Sequence, residues 1–260
     1  MGMQLMKGMS MELQGKTIIV TGASSGIGAA AALVFASNGA NVVLGARRQR
    51  ELDRLVGQIT QSNGNAVCLA GDVSDEPYNR ELVHLAERQF GGLDGAFNNA
   101  GTTGAMGPIP EMETRTWQDV LAVNLTSGFF AAKYQIPALR KRDGGSLVFT
   151  SSFVGHTIGF PGMGAYAAAK AGLIGMTQVL ATEHGAEGIR VNALLPGGTM
   201  TPMAGDDVDF HEMVRGFHAL KRMAEPSEIA QAALFLLSDR ASFVTGSAML
   251  ADGGNSITKL

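Results

Sequence analysis

Short apolar, β-branched runs alternate along this chain with longer stretches in which apolar residues recur every three or four positions. The runs fall at 17–20, 41–44, 66–69, 93–97, 146–150, 190–195 and 248–251. Most are apolar at consecutive positions and so need cover on both faces, as strands of a buried parallel sheet do. Seven of them separated by helical segments predict an α/β fold: a single doubly wound, Rossmann-type domain whose seven-stranded parallel sheet is flanked by helices on both faces. Helix starts are marked at Ser74-Asp75-Glu76-Pro77 and at Glu225-Pro226-Ser227-Glu228, where a capping side chain precedes or accompanies an early proline. Between Pro196 and Pro226 the pattern is irregular, and residues 198–222 are expected to form a substrate-covering loop or lid at the carboxyl edge of the sheet. No repeat or linker divides the chain, so residues 13–260 are expected as one domain. The Met- and Gly-rich residues 1–12 are expected as a flexible arm.

Composition narrows the class. Among 260 residues, 45% are hydrophobic and only 17% charged, below the usual quarter, which implies that helical surface is covered by other helices or by further subunits. A homo-oligomer, dimer or tetramer, is therefore expected, and the apolar segment 243–250 agrees with it. The net charge of −3 and the absence of a long basic run exclude a phosphate-tracking nucleic-acid surface. No uninterrupted apolar stretch is long enough for a membrane span, and the N-terminal residues lack a signal-peptide core, so a cytoplasmic protein is expected. The single cysteine, Cys68, lies in an apolar strand and is expected as a buried, unreactive thiol.

The first strand runs into Thr21-Gly22-Ala23-Ser24-Ser25-Gly26-Ile27-Gly28, followed at once by a helical pattern. Glycines at a strand-to-helix turn let the backbone approach a pyrophosphate, which the helix N-terminus then stabilises. The spacing G-x-x-x-G-x-G differs from the commoner G-x-G-x-x-G, yet its placement points to dinucleotide binding through Gly22, Ser24, Ser25, Gly26, Ile27 and Gly28. An acid at the end of the second strand would select NAD. Here Ala46 occupies that place and Arg47 and Arg48 follow, which suits the 2′-phosphate of NADP(H) better than NAD(H); the alternative is that both arginines solvate the next helix. Asp72, followed by Val73, could accept a bond from the adenine amine or cap a helix. In Asn98-Asn99-Ala100-Gly101 the asparagines suit a sharp turn, or could tie the cofactor loops together.

Tyr166 and Lys170 lie four residues apart in an Ala-rich run, hence on one helical face. Lowering a phenol from its free pKa of about 10 to about 7 takes roughly 4 kcal/mol. One cation at about 4 Å supplies on the order of 4 kcal/mol at an effective dielectric of about 20, so Lys170 is expected to make Tyr166 a proton donor near neutral pH.

Thr-Gly-x-x-x-Gly-x-Gly at 21–28, Asn-Asn-Ala-Gly at 98–101, Asn124, Ser152, Tyr-x-x-x-Lys at 166–170 and Pro196-Gly197 stand in the order and spacing of the short-chain dehydrogenase/reductase family, which the chain resembles over about residues 13–255. The resemblance implies that Tyr166 is the general acid/base and that Lys170 lowers its pKa and holds the nicotinamide ribose. It implies that Ser152 orients the substrate oxygen and that Asn124 keeps a proton-relay water. Asn99, Ala100, Gly101, Pro196, Gly197 and Thr201 would border the cofactor, and Val191 would touch its carboxamide. An Asn inside an apolar helical pattern costs propensity and desolvation, which independently argues that the Asn124 side chain is needed. One departure concerns the serine, which in much of the family lies thirteen residues before the Tyr; Ser152 lies fourteen before Tyr166 and Ser151 fifteen. Strand neighbours point to opposite faces, so only one of them can serve.

The five histidines show no metal-site spacing, and no metal is expected. His156 could touch the substrate or lie on the surface. Trp117 is expected to pack, and Met163, Met200, Met203 and Met213 could wall the pocket. The expected activity is an NADP-dependent interconversion of a ketone or aldehyde and an alcohol, with a small-molecule partner. A 3-oxoacyl-(acyl-carrier-protein) reductase fits the motifs equally, and a non-catalytic NADP sensor is the alternative from another class. The basic residues near Arg215, Lys221 and Arg222 are a candidate dock for an acidic carrier.

Overall fold

The computed structural model describes residues 11–258, so most of the expected N-terminal arm lies outside the described residues. Of that arm, Glu12 is already tied down, receiving a 2.9 Å hydrogen bond from Arg240. All seven expected strands form: β1 Thr17–Thr21, β2 Asn41–Ala46, β3 Asn65–Ala70, β4 Gly95–Asn98, β5 Gly145–Thr150, β6 Ile189–Pro196 and β7 Ala248–Ala251. They make one sheet in the order β3-β2-β1-β4-β5-β6-β7, parallel at every pair. The chain moves outward from β1 in one direction and then restarts at β4 on its other side. The carboxyl ends of β1 and β4 therefore diverge into loops on opposite faces and leave a crevice between them.

Helices cover both faces because consecutive strand residues alternate sides. Ile18, Val20, Val42 and Leu44 face one layer, built by α1 Gly26–Ser37, α2 Gln49–Gln61 and α8 Pro226–Leu237. Ile19, Val43, Leu147 and Phe149 face the other, built by α3 Glu76–Phe90, α5 Ser127–Arg140 and α6 Gly164–His184. In the first layer Phe35 of α1 meets Phe97 of β4 edge-on with ring centroids 6.1 Å apart, both fully buried. Burying each such side chain contributes roughly 1.5–3 kcal/mol. The helix starts read from the sequence are present: Pro77 lies in the first turn of α3, and Glu225 and Glu228 form a reciprocal capping box at the start of α8.

Two local expectations change. Cys68 is half-buried rather than buried, because β3 is an edge strand; burial pushes its thiol up, the Gln49 side chain acts against this, and Asp53 beside it adds to the rise. The segment 198–222 is not wholly irregular. It contains a short 3₁₀ turn at Pro202–Ala204 and the helix α7, Val208–Phe217, whose N-terminus is capped by the Asp207 carboxylate accepting from the backbone N–H of Asp209 and Phe210.

Candidate active site

A cleft of about 1130 Å³ runs along the carboxyl edge of the sheet, over the split between β1 and β4. Toward one end of it the glycine turn enters α1. Gly22 and Gly26 adopt positive φ of 67° and 54°, which favours glycine. A Cβ on Gly28 would stand 2.3 Å from the Gly22 carbonyl oxygen, so that position cannot carry one. Ser24, Ser25 and Ile27 line the cleft, while Gly28 works inside the turn. Against the turn packs the end of β4. The Asn99 and Ala100 N–H groups both donate to the Thr21 hydroxyl, the Asn99 amide donates to the Thr21 carbonyl, and Thr150 donates to Asn99 Oδ1. Asn99 thus binds the ends of β1, β4 and β5 together. Its neighbour Asn98 makes a reciprocal amide pair with Gln135 of α5 at 2.8 and 2.9 Å.

Arg47 and Arg48 line one end of the cleft, beyond the buried Ala46. The Arg48 guanidinium lies on the glycine turn itself, 2.9 Å from the Ser24 hydroxyl and 3.2 Å from the Ser24 carbonyl. Asp72 and Val73 close that end. Burial raises the Asp72 carboxyl, but the Ser74 N–H and hydroxyl that bond it, with Arg47 nearby, outweigh this and hold it below the usual carboxylate range. Asp72 therefore shapes the turn before α3 without capping the helix, whose N-cap is Asp75.

At the other end, Tyr166 and Lys170 sit one turn apart near the start of α6, and both line the cleft. Lys170 is buried, its Nζ donating to the Thr150 carbonyl at 2.6 Å and standing 5.6 Å from the centre of the Tyr166 ring. Gly101 is held between this ammonium and Asn124: a Cβ there would meet Asn124 Oδ1 at 2.9 Å and Lys170 Nζ at 3.3 Å. Asn124 lies in a π-helical turn, Ala122–Thr126, between α4 Thr114–Leu121 and α5. Its amide donates to the carbonyls of Thr102 and Val120 and its Oδ1 accepts from the Thr102 N–H, which pins the loop after β4 to the helix. The extra residue of a π turn turns this one polar side chain inward without breaking the helix.

The two serines separate cleanly. Both border the cleft, but the Ser151 hydroxyl donates to the Lys170 backbone carbonyl at 2.7 Å, whereas the Ser152 Oγ accepts from the Val154 N–H at 3.1 Å and lies beside the Tyr166 phenol. Ser152→Ala is expected to lower kcat/KM by about 10²-fold with little change in thermal midpoint. Ser151→Ala is expected to cost about 1–2 kcal/mol of stability and act more mildly on turnover. Steady-state kinetics and melting curves on both variants check the ranking.

The electrostatics depart from the sequence-based expectation. Burial pushes the Tyr166 phenol above its ordinary value, with the neighbouring Ser152 hydroxyl acting the other way, and burial brings the Lys170 ammonium down to about 7. In both groups the water lost by the charged form is the leading cause. The phenol accordingly keeps its proton at neutral pH, the state of a proton donor.

Pro196, Gly197 and Thr201 border the cleft after β6, and a Cβ on Gly26 would meet the Thr201 side chain at 3.0 Å, so the lid begins against the glycine turn. Val191 is misplaced by the family resemblance. It is fully buried near the amino end of β6, five residues or ~16 Å of strand from the carboxyl edge, with its N–H on the Thr245 hydroxyl; Thr199 lines the cleft instead. His156 is exposed and does not line the cleft. Of the four methionines, Met163 and Met203 line it and Met200 and Met213 do not.

Two features went unread in the sequence. Phe210, Val214 and Phe217, at helical spacing i, i+4, i+7, form the inward stripe of α7 and line the cleft, a signal that was present. His218 is buried, its Nε2 accepting from the Gly198 N–H at 3.0 Å and its Nδ1 2.7 Å from the Val214 carbonyl. The ring fills a hollow left by Gly197, Gly198 and Gly253 and joins α7 to the segment after β6; a lone histidine in a loop carried no such signal.

The sheet order, the glycine turn and the crevice at the β1/β4 split define a Rossmann-type fold built to bind a nucleotide. Residues 22–256 match the family described as enoyl-(acyl carrier protein) reductase. The chain is 42% identical to 2,5-dichloro-2,5-cyclohexadiene-1,4-diol dehydrogenase of Sphingobium indicum, over 94% of this chain and 98% of that one. It is 39% identical to a 3-oxoacyl-(acyl-carrier-protein) reductase of Thermotoga maritima, over 94% and 99%. It superposes on a crystal structure of a short-chain type dehydrogenase/reductase from Mycobacterium marinum with a TM-score of 0.91 at 31% identity, covering 96% of this chain and 98% of that one. The chain belongs to the short-chain dehydrogenase/reductase family, oxidoreductases that use nicotinamide cofactors. Among the described residues no helix is long and apolar enough to cross a membrane, and no three His, Cys, Asp or Glu side chains gather as a metal site would require.

Proposed function

We propose that this protein is an NADP-dependent reductase that interconverts a ketone or aldehyde and the corresponding alcohol, with Tyr166 as general acid/base. The observation that carries the reading is the convergence of Tyr166, Lys170 and Ser152 at one end of a cleft whose other end is a glycine turn flanked by two arginines. The residues fit a dinucleotide: the Gly22–Gly28 cradle admits no Cβ at its tightest point, and the start of α1 offers N–H groups to a pyrophosphate. When bound, the reduced nicotinamide supplies a hydride to the carbonyl carbon. Ser152 holds the carbonyl oxygen, and Tyr166 transfers its phenolic proton to it, so that carbonyl, NADPH and one proton become alcohol and NADP⁺. Lys170 would hold the nicotinamide ribose and, with Asn124 across Gly101, would return a proton from solvent to Tyr166.

Arg47 and Arg48 support NADP over NAD, since the place of a ribose-binding acid is taken by buried Ala46. Arg47→Ala is expected to weaken NADPH binding at least ~10-fold more than NADH binding, the loss of a charge-assisted contact. Fluorescence titration with both dinucleotides reads the difference, and an equal loss would remove the 2′-phosphate argument. The same reading makes the enzyme cytoplasmic, in keeping with a chain that cannot form an internal disulfide. A homo-oligomer, dimer or tetramer, is supported by exposed Phe243 and by half-exposed Phe129 and Val179 on the outer faces of α5 and α6.

An acyl-carrier-protein reductase is the second reading, and one relative bears that name. The cations it would need are engaged: Arg222 is bidentate on Glu228 at 2.6 and 2.7 Å, Arg215 pairs with Glu212, and Lys221 Nζ donates to the Gly216 carbonyl. A pure NADP sensor has no use for a proton donor, a serine and a buried lysine at the nicotinamide end.

A further inference from the structure

The charged side chains lining the cleft are unevenly placed. Arg47, Arg48 and Asp72 stand at the dinucleotide end, Lys170 supports Tyr166, and Asp119 lies on α4. The wall beyond Ser152 and Tyr166 is built from three segments. The loop after β5 contributes Phe153, Phe160 and Met163, the loop after β4 contributes Met106, and the lid contributes Met203 and Phe210. None of the lining residues of these three segments is ionisable. Threonine hydroxyls and Asn255 are the polar groups there besides Ser152 and Tyr166. The ionisable residues of the lid lie outside this wall: Asp206, Asp207, Asp209 and Glu212 and the histidines His211 and His218, against Arg215, which pairs with Glu212, Arg222, which pairs with Glu228, and Lys221, whose Nζ donates to the Gly216 carbonyl.

We infer that the substrate is an uncharged, largely apolar ketone or its secondary alcohol, and that anionic carbonyl compounds, carboxylates and carrier-bound or nucleotide-bound thioesters alike, are rejected. This rests on the reductase reading above and narrows it. A carboxylate brought into this end would be desolvated against sulfur and aromatic carbon without a counter-ion, since the lid's cations already bond Glu212, Glu228 and the Gly216 carbonyl. A neutral ring or alkyl chain loses nothing there and gains the burial of its apolar surface. The methionines give the wall a shape that adapts to the ligand's contour.

The test compares two ketones of the same ring, 4-methylcyclohexanone and 4-oxocyclohexanecarboxylate, together with acetoacetyl-coenzyme A, by NADPH oxidation with the wild-type enzyme. The neutral ketone is expected to have a kcat/KM about 100-fold or more above either anion. Equal or better turnover of an anion overturns the inference and leaves the reductase reading standing. Failure to reduce any of the three, or any carbonyl in a wider panel, with NADPH or NADH overturns both. Met203→Arg provides the second arm. Met203 is 57% exposed, so an arginine there has a solvated path and leaves the core intact. It is expected to narrow the preference for the neutral ring at least ~10-fold by offering the carboxylate a fork of donors. An unchanged preference in that variant overturns the assignment of this wall to the substrate.

Discussion

Tyr166→Phe is expected to lower kcat for carbonyl reduction by about 10³-fold, within the range set by loss of a positioned general acid. The substitution removes one hydroxyl and keeps the ring that stands 5.6 Å from Lys170 Nζ, so the packing of α6 and the lysine's bond to the Thr150 carbonyl remain. NADPH affinity should change by no more than a few fold, because the other cofactor contacts proposed for the cleft are untouched. The split between an abolished kcat and a retained dissociation constant is the diagnostic result. A variant keeping more than a few per cent of wild-type turnover would show that another group gives the proton. Melting curves should superpose on those of the wild type, which separates a chemical loss from a folding loss.

Lys170→Met has the second large effect and acts on two quantities in opposite directions. Turnover should fall by about 10²-fold or more, since the ribose contact and the proton return both depend on the ammonium. Stability should rise. Burial lowers the lysine to about 7, so the folded state holds the charged form less readily than the unfolded chain does. A base depressed in this way destabilises the fold by its full amount below about pH 7, and the penalty fades as pH rises toward the ordinary value of 10.5, where the unfolded chain also gives up the proton. Replacing it by an apolar chain of similar length removes that penalty but leaves the Thr150 carbonyl without its partner, at a cost of about 1–3 kcal/mol. A net gain of about 1–3 kcal/mol, or ~3–8 °C in Tm, is expected at pH 6, shrinking toward pH 10. A melting series across that range reads the effect. A variant less stable than wild type at pH 6 would mean that the ammonium is solvated or paired in solution, and the trade between stability and activity drawn here would be withdrawn.

Much of this protein was legible before its folding was known, and for local reasons. Runs apolar at consecutive positions can only be strands covered on both faces, so all seven were found. Glu225-Pro226 and Asp75-Glu76-Pro77 stop or start helices through backbone geometry that needs no neighbour. The glycine turn declared itself because the absence of a side chain is itself a spacing pattern, and Tyr166 and Lys170 because helical periodicity puts them on one face. The lid helix was also written in the chain, as Phe210, Val214 and Phe217, but the glycine and aspartates before it obscured the stripe. His218 was not legible, since its partners Gly198, Val214 and Gly253 are brought to it by three different segments.

The amino-acid order by itself pointed to the strands, the nucleotide-cradling turn and the residues of the proposed proton transfer, because each depends on contacts within a few positions, and to the parallel sheet, because strands apolar on both faces and separated by helices have to be covered on both sides. Tertiary structure alone decided which serine stands beside the Tyr166 phenol, that Val191 lies at the wrong end of its strand, that Asn99 ties three strands together, and that the substrate wall carries no charge. It also reversed the expected balance at Tyr166 and Lys170. Spacing sets how near two charges lie, but the solvent each gives up is fixed by everything folded around them, and in this site the lost solvent is the larger quantity.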